Sequence, residues 1–533
     1  MKKCYTILLM FLVSSCYIYG QIWPKLSWYK TYNGPGDGVD IVRDVKFQNG
    51  NLYLAGMSAG PDLIPDIFIL EYSDKGDSVL GIRYSAISNS AEDAASIAID
   101  SAGNIYIAGS STFEQSTFYA FLLKYSPAGN LIFKKYFNSD ININSEGEFV
   151  VLGSNGDPVF GYTQWDNGQS AKIAKYSSSG DSVWTVTFTD DTSSYFVNYL
   201  LTDQADNIYA ALKQLYSDGS DTPATKTVAA KINKQGEVIW QTPVAGDDPQ
   251  KMLLDKEKNI VLITQGDGRT IKFDPDGNVL WTNDYNNSEF PITILTGLVI
   301  DHDNNIVVSG YKYGTSSWNY RTKKLSPAGE EIWSNDFESM EGLNDFAMDL
   351  AIDSSDNLYV TGESHDQVSV GMCYTVKYSK DGGQGWVFKF DPPNSTFETP
   401  KKLFIGDSNF IYIGGDKGEP GEGPDFLAFK IGYGRGNDVK QIDKIPGSFS
   451  LSQNYPNPFN PVTKIDFSIP KGDDVKLEVY DALGRLVDKL INKYLSAGSY
   501  SIDFNGSNLP SGIYFYRLTS GSFVQMKKAV LLK

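Results

Sequence analysis

Histidine and cysteine, the side chains that carry much nucleophilic and metal chemistry, are scarce in this sequence. Its 533 residues include two histidines and three cysteines. His302 stands in a hairpin turn and His365 in a loop of another repeat unit, so a histidine-based triad or a multi-histidine metal site cannot be assembled. Any catalysis would have to use carboxylates, and we expect no cofactor and no metal centre.

Carboxylates recur in the segments that lead into one strand of each repeat unit. They are Asp40, Glu92, Asp93, Asp190, Asp191, Asp247, Asp248, Asp345 and Glu398. In a closed ring these segments would share one face, where crowding could raise a carboxyl pKa for general acid work or hold a cation. Hydrogen bonding within turns and caps is the more common use of Asp. Asp93 and Asp345 are the two candidate ligand-binding residues of this group.

Aromatic residues mark two of the most variable loops. One loop carries Tyr162 and Trp165 near Asp166. The other loop carries Tyr311, Tyr313 and Trp318. Exposed aromatic rings beside carboxylates and amides suit stacking on sugars, and packing within the loop is the alternative. We predict these five aromatic residues as candidate ligand contacts.

Two Asp-rich turns have oxygen-bearing side chains at alternate positions, as calcium loops do. They are DHDNN at residues 301–305 and DPDGN at residues 274–278. Neither has the bidentate Glu at the twelfth position that closes an EF-hand site. The pattern favours tight turns and leaves calcium binding open.

The elements that would position these side chains are repeated hairpins. IAIDSAGNIYIAG (97–109) places alternating apolar residues on both sides of a polar turn, and it returns as LVIDHDNNIVVSG (298–310) and LAIDSSDNLYVTG (350–362). With weaker copies there are eight. After each hairpin come a third strand, a turn glycine and, four residues on, a bulky residue that is often Trp. Four strands in about 50 residues is typical of a β-propeller blade.

The two ends of the repeat region complement each other. The eighth copy lacks an outermost strand, whereas Trp28 and Tyr32 have the spacing of an outermost strand with no copy before them. We therefore predict an eight-bladed β-propeller over residues 22–431 that the N-terminal strand closes, which removes an exposed sheet edge. Seven blades is the fallback if the degenerate third copy or the short fifth copy is not a full blade.

The hairpin sequence resembles the bacterial β-propeller repeat family. The G-x-x-x-W step is also similar to the docking repeats of quinoprotein-like propellers, although their quinone-binding residues have no match here. SKDGGQGW (379–386) resembles a sialidase Asp-box with Gly385 in place of Thr. That box is a structural turn, so the resemblance does not imply catalysis.

Charge and the N-terminus indicate the compartment. Residues 449–533 carry 10 Lys/Arg and 7 Asp/Glu and the first 20 residues carry two lysines, so the total of −18 leaves −23 for residues 21–448. Such a surface argues against binding nucleic acid or anionic membrane. Residues 1–20 have the layout of a signal peptide, and a lipobox ending at Cys16 is the alternative. We expect no membrane-spanning segment in the mature chain, and Cys373 to be a buried strand residue.

The C-terminal part has a different composition. A Gly-rich and charged linker is predicted at residues 432–448, followed by alternating segments at 449–533 that favour a small antiparallel β-sandwich. YPNPFNP (455–461), YDALGRLV (480–487), LPSGIYFY (509–516) and a basic last strand resemble the type IX secretion system sorting domain. The residues that carry this resemblance are Pro456, Asn457, Pro458, Gly512, Tyr514, Lys527 and Lys528.

The resemblance implies export through the periplasm to the outer-membrane surface or the medium, with the type IX machinery as a partner. It also implies possible removal of the domain and attachment to surface lipopolysaccharide. We predict a secreted or surface β-propeller that acts as a binding or structural scaffold for an unidentified glycan or protein, and not an enzyme. The alternative is a carboxylate-dependent glycoside hydrolase or polysaccharide lyase, because propellers host both classes.

Overall fold

A computed structural model describes residues 24–532, apart from short gaps. The gaps are residues 87–89, 114–116, 138–143, 166–167, 221, 247, 267, 287–292, 315–316, 340–342, 366–370, 394, 434–439, 443–447, 472, 496–497, 507–508 and 522. The predicted signal peptide lies outside the described residues. The chain divides into two compact units, one formed by Leu26–Gly432 and one that contains Tyr433–Lys533.

The first unit consists of four-stranded antiparallel sheets, which we number in chain order. Sheet 1 contains β2 (Asp40–Gln48), β3 (Asn51–Ala59), β4 (Pro65–Tyr72) and β5 (Ser78–Tyr84). Sheet 2 contains β6 (Ala91–Ile99), β7 (Ile105–Phe113), β8 (Thr117–Tyr125) and β9 (Leu131–Phe137). Sheet 3 contains β10 (Asn144–Leu152), β11 (Pro158–Trp165), β12 (Gln169–Tyr176) and β13 (Ser182–Phe188). Sheet 4 contains β14 (Ser193–Thr202), β15 (Ile208–Tyr216), β16 (Ala224–Ile232) and β17 (Val238–Ala245).

The remaining sheets follow the same order from the innermost to the outermost strand. Sheet 5 contains β18 (Pro249–Leu254), β19 (Ile260–Thr264), β20 (Arg269–Phe273) and β21 (Val279–Asp284). Sheet 6 contains β22 (Thr293–Ile300), β23 (Ile306–Tyr313), β24 (Trp318–Leu325) and β25 (Glu331–Phe337). Sheet 7 contains β26 (Asn344–Ile352), β27 (Leu358–His365), β28 (Gly371–Tyr378) and β29 (Gln384–Phe390). Sheet 8 contains β30 (Phe397–Ile405), β31 (Ile411–Gly418), β32 (Pro424–Tyr433) and, as its outermost strand, β1 (Pro24–Tyr32).

The N-terminal strand closes the ring. The innermost strand of each sheet packs against that of the next, and β2 packs against both β6 and β30. Trp28 and Tyr32 of β1 both join the apolar cluster that links sheets 8 and 1. The Tyr32 ring stacks on Phe68 of sheet 1 at 4.1 Å between centroids. The predicted propeller of four-stranded antiparallel sheets is confirmed, and the described residues of the ring form eight such sheets.

The recurring Asp and Asn of the hairpin turns serve the turns themselves. Asp100 Oδ1 accepts hydrogen bonds from the backbone N–H of Ala102 and Asn104, and Oδ2 accepts one from the Asn104 side chain at 2.7 Å. The same set of bonds recurs at Asp203, Asp274, Asp301 and Asp353. The carboxylates that head the two calcium-like turns are therefore engaged by their own backbone.

The outermost strands of sheets 1 to 6 and the closing strand β1 each dock on the glycine turn of the next sheet. The Trp184 indole of sheet 3 lies against Gly236, whose φ of +89° favours glycine, and its Nε1 donates to the Lys234 carbonyl at 3.0 Å. The same Trp-on-turn bond is made by Trp28, Trp240, Trp281 and Trp333. The G-x-x-x-W spacing is thus a device for joining sheets, as the predicted core role requires.

Every innermost strand carries a β-bulge at the same level, which the sequence pattern did not predict. The register shifts fall at Arg43, Ala95, Glu148, Asn198, Gln250, Thr296, Met348 and Lys401. The residue after the bulge reaches a neighbouring strand in several sheets. Asp44 accepts a hydrogen bond from the Ile97 N–H at 3.1 Å, and Asp349 accepts one from the Leu403 N–H at 3.0 Å.

The second unit contains two four-stranded sheets, and its buried apolar residues form one cluster. One sheet consists of β33 (Lys440–Ile442), β34 (Ser450–Leu451), β35 (Val462–Ile469) and β38 (Gly498–Asn505). The other consists of β36 (Asp473–Asp481), β37 (Leu486–Leu495), β39 (Gly512–Ser520) and β40 (Phe523–Leu531). Strand β33 lies within the segment predicted as a linker, and β37 was not predicted as a strand.

The described residues form one helical element, a three-residue 3-10 turn at Asp407–Asn409. Among them no helix has the length and apolar character needed to cross a bilayer. Cys373 is buried on β28, where burial raises the pKa of its thiol far above the ordinary range.

Candidate functional site

The sheets present their longer connections on one edge of the ring. Because the four strands of each sheet alternate in direction, the links between second and third strands and the links between sheets emerge on the same side. We call this side the loop face. The Asp turns and the glycine turns lie on the opposite side, so the candidate ligand contacts belong to the loop face.

An aromatic cluster stands on the loop face of sheets 6 and 7, formed by Tyr311, Tyr313, Trp318 and Phe346. Tyr313 and Trp318 are ladder partners on β23 and β24, and their rings lie 5.3 Å apart at 71°. Tyr311 contacts Trp318 at 5.4 Å and Phe346 of β26 at 4.9 Å, both nearly perpendicular. The structure therefore brings together three of the five aromatic residues that the sequence predicted, and adds Phe346.

The cluster remains partly open to solvent. Tyr313 is 40% exposed, and the other three rings are half-buried. Burial raises the pKa of Tyr311, so its hydroxyl stays protonated and can donate a hydrogen bond at neutral pH. Edge-to-face contacts hold the rings in fixed orientations, which leaves a rigid apolar surface with polar tips.

A histidine and a carboxylate flank the aromatic cluster. The His365 ring lies 5.8 Å from Phe346, and its Nε2 is 3.0 Å from Glu363 Oε1. The Thr399 hydroxyl of the next sheet donates to Glu363 Oε2 at 2.6 Å. His365 was predicted to lie in a loop, whereas it is the last residue of strand β27. Sequence reasoning missed Glu363 and Phe346 as neighbours, because only the strand register places them here.

Asp345 is a structural carboxylate. It is fully buried, and its oxygens accept hydrogen bonds from the Ser339 N–H and hydroxyl at 2.9 and 2.6 Å and from the Ser364 hydroxyl. Burial raises the pKa of Asp345, and these donors oppose the rise. The Asp345 side chain thus connects Ser339, in the segment between sheets 6 and 7, with Ser364 on β27. This is the hydrogen-bonding role within turns and caps that is common for Asp.

Asp93 lies on sheet 2 and forms an ion pair with Arg43 of sheet 1, at 2.7 Å. Its pKa is raised by burial among the innermost strands, although about a third of the side chain is exposed. Glu148 of sheet 3 accepts a hydrogen bond from Thr163 at 2.7 Å, and burial raises its pKa to about 8. Asp93 therefore joins sheets 1 and 2, whereas Asp345 belongs to sheet 7.

The prediction of Tyr162 as a surface contact is wrong. The side chain is 7% exposed and packs against Phe137 at 5.1 Å in the core between sheets 2 and 3. Its segment is strand β11 and not a loop, so alternation turns the ring inward. Trp165 ends the same strand and is half-buried, and Asp166 lies outside the described residues.

The other acidic residues near this face have varied partners. Asp40 accepts hydrogen bonds from the Gly34 and Ala59 N–H groups. Asp190 accepts them from Thr192 and Tyr195, which holds its pKa down at about 2. Glu398 is fully buried, and burial raises its pKa to about 7. Within the part of the chain that the structure describes, no three His, Cys, Asp or Glu side chains are grouped as a metal would need.

In the second unit the YPNPFNP segment is bonded to the last strand. The Asn457 side chain accepts from the Val530 N–H at 2.9 Å and donates to the Lys528 carbonyl at 3.2 Å, and it stands between Pro456 and Pro458. The LPSGIYFY segment lies on β39, which pairs with the last strand, β40. The ladder partners are Gly512 with Leu531, Tyr514 with Ala529 and Tyr516 with Lys527. The YPNPFNP and LPSGIYFY motifs thus both contact the basic last strand, β40.

Comparisons with known proteins agree with this architecture. The family model of the secretion system C-terminal sorting domain matches residues 453–532, and that of the beta-propeller repeat matches residues 83–114. No curated protein matches the chain.

Solved structures that are similar to the chain include a propeller and two other proteins. The Dos1 propeller is 11% identical, covers 76% of this chain and 95% of its own, and has a TM-score of 0.45. Sqt1 from Chaetomium thermophilum is 6% identical and covers 78% and 100%, with a TM-score of 0.47. Virginiamycin B lyase from Staphylococcus aureus is 10% identical and covers 62% and 93%, with a TM-score of 0.37. The chain is a β-propeller protein that carries a type IX secretion system C-terminal sorting domain, which indicates export to the cell surface or the medium.

Proposed function

We propose that the exported propeller is a carbohydrate-binding scaffold and that the aromatic cluster is its contact surface. The observation that carries the proposal is the group of four packed rings on the loop face, with Tyr313 exposed at its rim. Aromatic faces bind the apolar C–H faces of sugars, and hydroxyl and carboxylate groups at the rim select orientation.

Rigidity favours binding at this surface. Trp318 is held between Tyr311 and Tyr313 by edge-to-face contacts, so little side-chain freedom is lost when a ligand docks. Glu363 is fixed by Thr399 and His365, which leaves it oriented as a hydrogen-bond acceptor beside the rings. These are features of a preorganised recognition site.

The carboxylate-dependent hydrolase or lyase is the competing reading. A glycosidase needs two carboxyl groups about 5 to 5.5 Å apart for retention or about 6.5 to 9.5 Å apart for inversion. Asp345 and Asp93, the two carboxylates predicted from sequence, are bonded to Ser339 and Ser364 and to Arg43 respectively. These partners favour structural roles for both, and turnover of a polysaccharide abolished by either Asp→Asn change would overturn the proposal.

The test is binding of the purified full chain to a panel of plant, algal and bacterial polysaccharides by affinity electrophoresis and calorimetry. Trp318→Ala and Tyr313→Ala should each weaken the best ligand by about 10-fold, equivalent to about 1.4 kcal/mol. Phe118→Ala is the matched control. Phe118 is 43% exposed at the equivalent place in sheet 2, where its N–H donates to Asn144 as that of Trp318 donates to Asn344. Equal losses for Phe118 and Trp318 would refute the assignment of the site.

A further inference from the structure

Sheet 5 is shorter than its neighbours and leaves a step in the loop face. Its strands have 5 or 6 residues, whereas those of sheet 4 have 8 to 10. The link between β19 and β20 is short, and the Gly268 N–H donates to the Gln265 carbonyl across it at 3.3 Å. The end of β15 at Tyr216 and the start of β16 at Ala224 therefore extend past sheet 5.

Two adjoining clefts occupy this step. The larger has a volume of about 370 Å³, and Tyr216, Lys226, Val244 and Arg269 are among the residues that line it. The second has a volume of about 280 Å³ and is lined in part by Lys213, Asp248 and Gln265. Thr225 lines both clefts, which therefore adjoin, and we call the two clefts together the depression.

The depression is cationic in a strongly acidic part of the chain. Lys213, Lys226 and Arg269 line it, and Asp248 and Asp284 pair with two of these three cations, so one positive charge remains in excess although residues 21–448 carry a net charge of −23. The Lys226 ammonium lies 4.1 Å from the centre of the Tyr216 ring, which holds it by a cation–π contact. Lys213 is 2.5 Å from Asp248, and Arg269 is 3.1 Å from Asp284.

The depression adjoins the aromatic cluster. Ile294 lines the second cleft and is the ladder partner of Tyr311, and directly opposed residues in antiparallel strands are about 5 Å apart. A polymer that crosses sheets 5 and 6 would therefore meet cations first and aromatic rings next. Each surface supplies one kind of interaction, charge or stacking.

We propose that the depression over sheet 5 binds the anionic groups of an acidic polysaccharide whose neighbouring sugars stack on the aromatic cluster. This inference rests on the proposed function and names its ligand class. Lys226 supplies a point charge for a carboxylate or sulfate, and the guanidinium of Arg269, held by Asp284, adds positive potential beside it.

A glycan is favoured over a nucleic acid as the polyanion. Non-specific binding to a nucleic acid draws its energy from many phosphate contacts, and three cations in an acidic protein supply few. The net charge of −23 also opposes general ion exchange, so a preference for an anionic polymer would reflect the local site.

The experiment compares two pairs of polysaccharides that differ in charge, with an oligonucleotide as a polyanion of another class. The full chain is titrated with polygalacturonate, carboxyl-reduced polygalacturonate, dextran sulfate, dextran and a single-stranded oligodeoxynucleotide, using Lys226→Gln, Arg269→Gln and Lys226→Arg. Lys75→Gln is the control, because Lys75 is exposed in a turn on the opposite side of the ring. Circular dichroism checks that each variant is folded.

We expect polygalacturonate to bind at least 10-fold more tightly than its carboxyl-reduced form. Lys226→Gln and Arg269→Gln should each lower that affinity about 5- to 10-fold, with Lys226→Arg near the original and Lys75→Gln unchanged. Binding of dextran sulfate to the same extent would extend the site to sulfated glycans, and its failure to bind would restrict the site to carboxylates.

Two results would overturn the inference and separate it from the proposed function. Equal binding of the charged and reduced polymers, still lost in Trp318→Ala, would leave a glycan-binding site but remove the anionic preference. Absence of binding to every polysaccharide would remove both. Tight oligonucleotide binding that Lys226→Gln abolishes would reassign the depression to a nucleic acid.

Discussion

Trp28 should control whether the ring stays closed. It lies on β1, which is joined to sheet 8 by hydrogen bonds and side-chain packing and not by a turn. Its Nε1 donates to the Asp74 carbonyl of sheet 1 at 2.9 Å, and its ring lies 6.2 Å from Tyr72 and 6.5 Å from Tyr412. One residue thus connects the closing strand to both ends of the ring.

The expected magnitude follows from these contacts. Truncating a buried Trp to Ala costs about 3 to 5 kcal/mol, and since Trp28 is half-buried we expect about 3 kcal/mol. Trp28→Phe keeps most of the ring and loses one hydrogen bond, which is worth about 1 kcal/mol. The closing strand should therefore detach about 100-fold more often in Trp28→Ala and about 5-fold more often in Trp28→Phe.

Native-state hydrogen exchange of the β32 amides measures this detachment, because β32 is the strand that β1 covers. Trp240→Ala is the control, since Trp240 makes the same Trp-on-turn bond within the continuous part of the chain. We expect it to lower overall stability and leave the exchange of β32 relative to the other sheets unchanged. If Trp28→Ala leaves β32 as protected as Trp240→Ala does, the ends of the chain do not hold the ring together.

Three further predictions concern routing, pH and turn geometry. Deleting residues 449–533 should trap a folded propeller in the periplasm of a host with type IX secretion, and undiminished surface yield on cell fractionation would contradict the sorting role. Because burial raises the pKa of Glu398 to about 7 from an unfolded value near 4.5, stability should fall as pH rises through that interval; Glu398→Gln should flatten a melting profile between pH 5 and 7. Gly236→Ala should cost more in a denaturation curve than Gly421→Ala, because both have positive φ but only the first would bring a Cβ within 2.7 Å of Trp184; equal losses would mean that φ strain alone matters.

The repeat architecture could be predicted because its signals are local. An Asp that binds the backbone N–H groups two and four residues on, as Asp100 does, fixes a hairpin turn within five residues of sequence. The closing strand could also be predicted, because Trp28 and Tyr32 keep the spacing of an outermost strand. Neither inference needed knowledge of distant contacts.

The site was harder to predict because it depends on register. Tyr162 and Tyr311 look alike in sequence, but Tyr162 is buried within β11 whereas Tyr311 reaches Phe346 of the next sheet. The bulge in each innermost strand leaves no mark in the alternation of apolar residues, so the alignment of Phe346 with Glu363 was not apparent. The depression over sheet 5 was also missed. In the sequence, the shortening of the sheet 5 strands by a few residues indicated only a weak copy of the repeat.

The closing strand also bears on how the gene could change in length. With β1 placed first, the ring is a series of units that each supply the outermost strand of one sheet and the three inner strands of the next. Every unit therefore spans a seam between two sheets. Duplication or loss of one whole unit, as from β5 to β8, would change the circumference and still leave each sheet with four strands. Repeat number can therefore drift during evolution without creating an unpaired edge, and the ring size of related proteins is expected to vary in whole units.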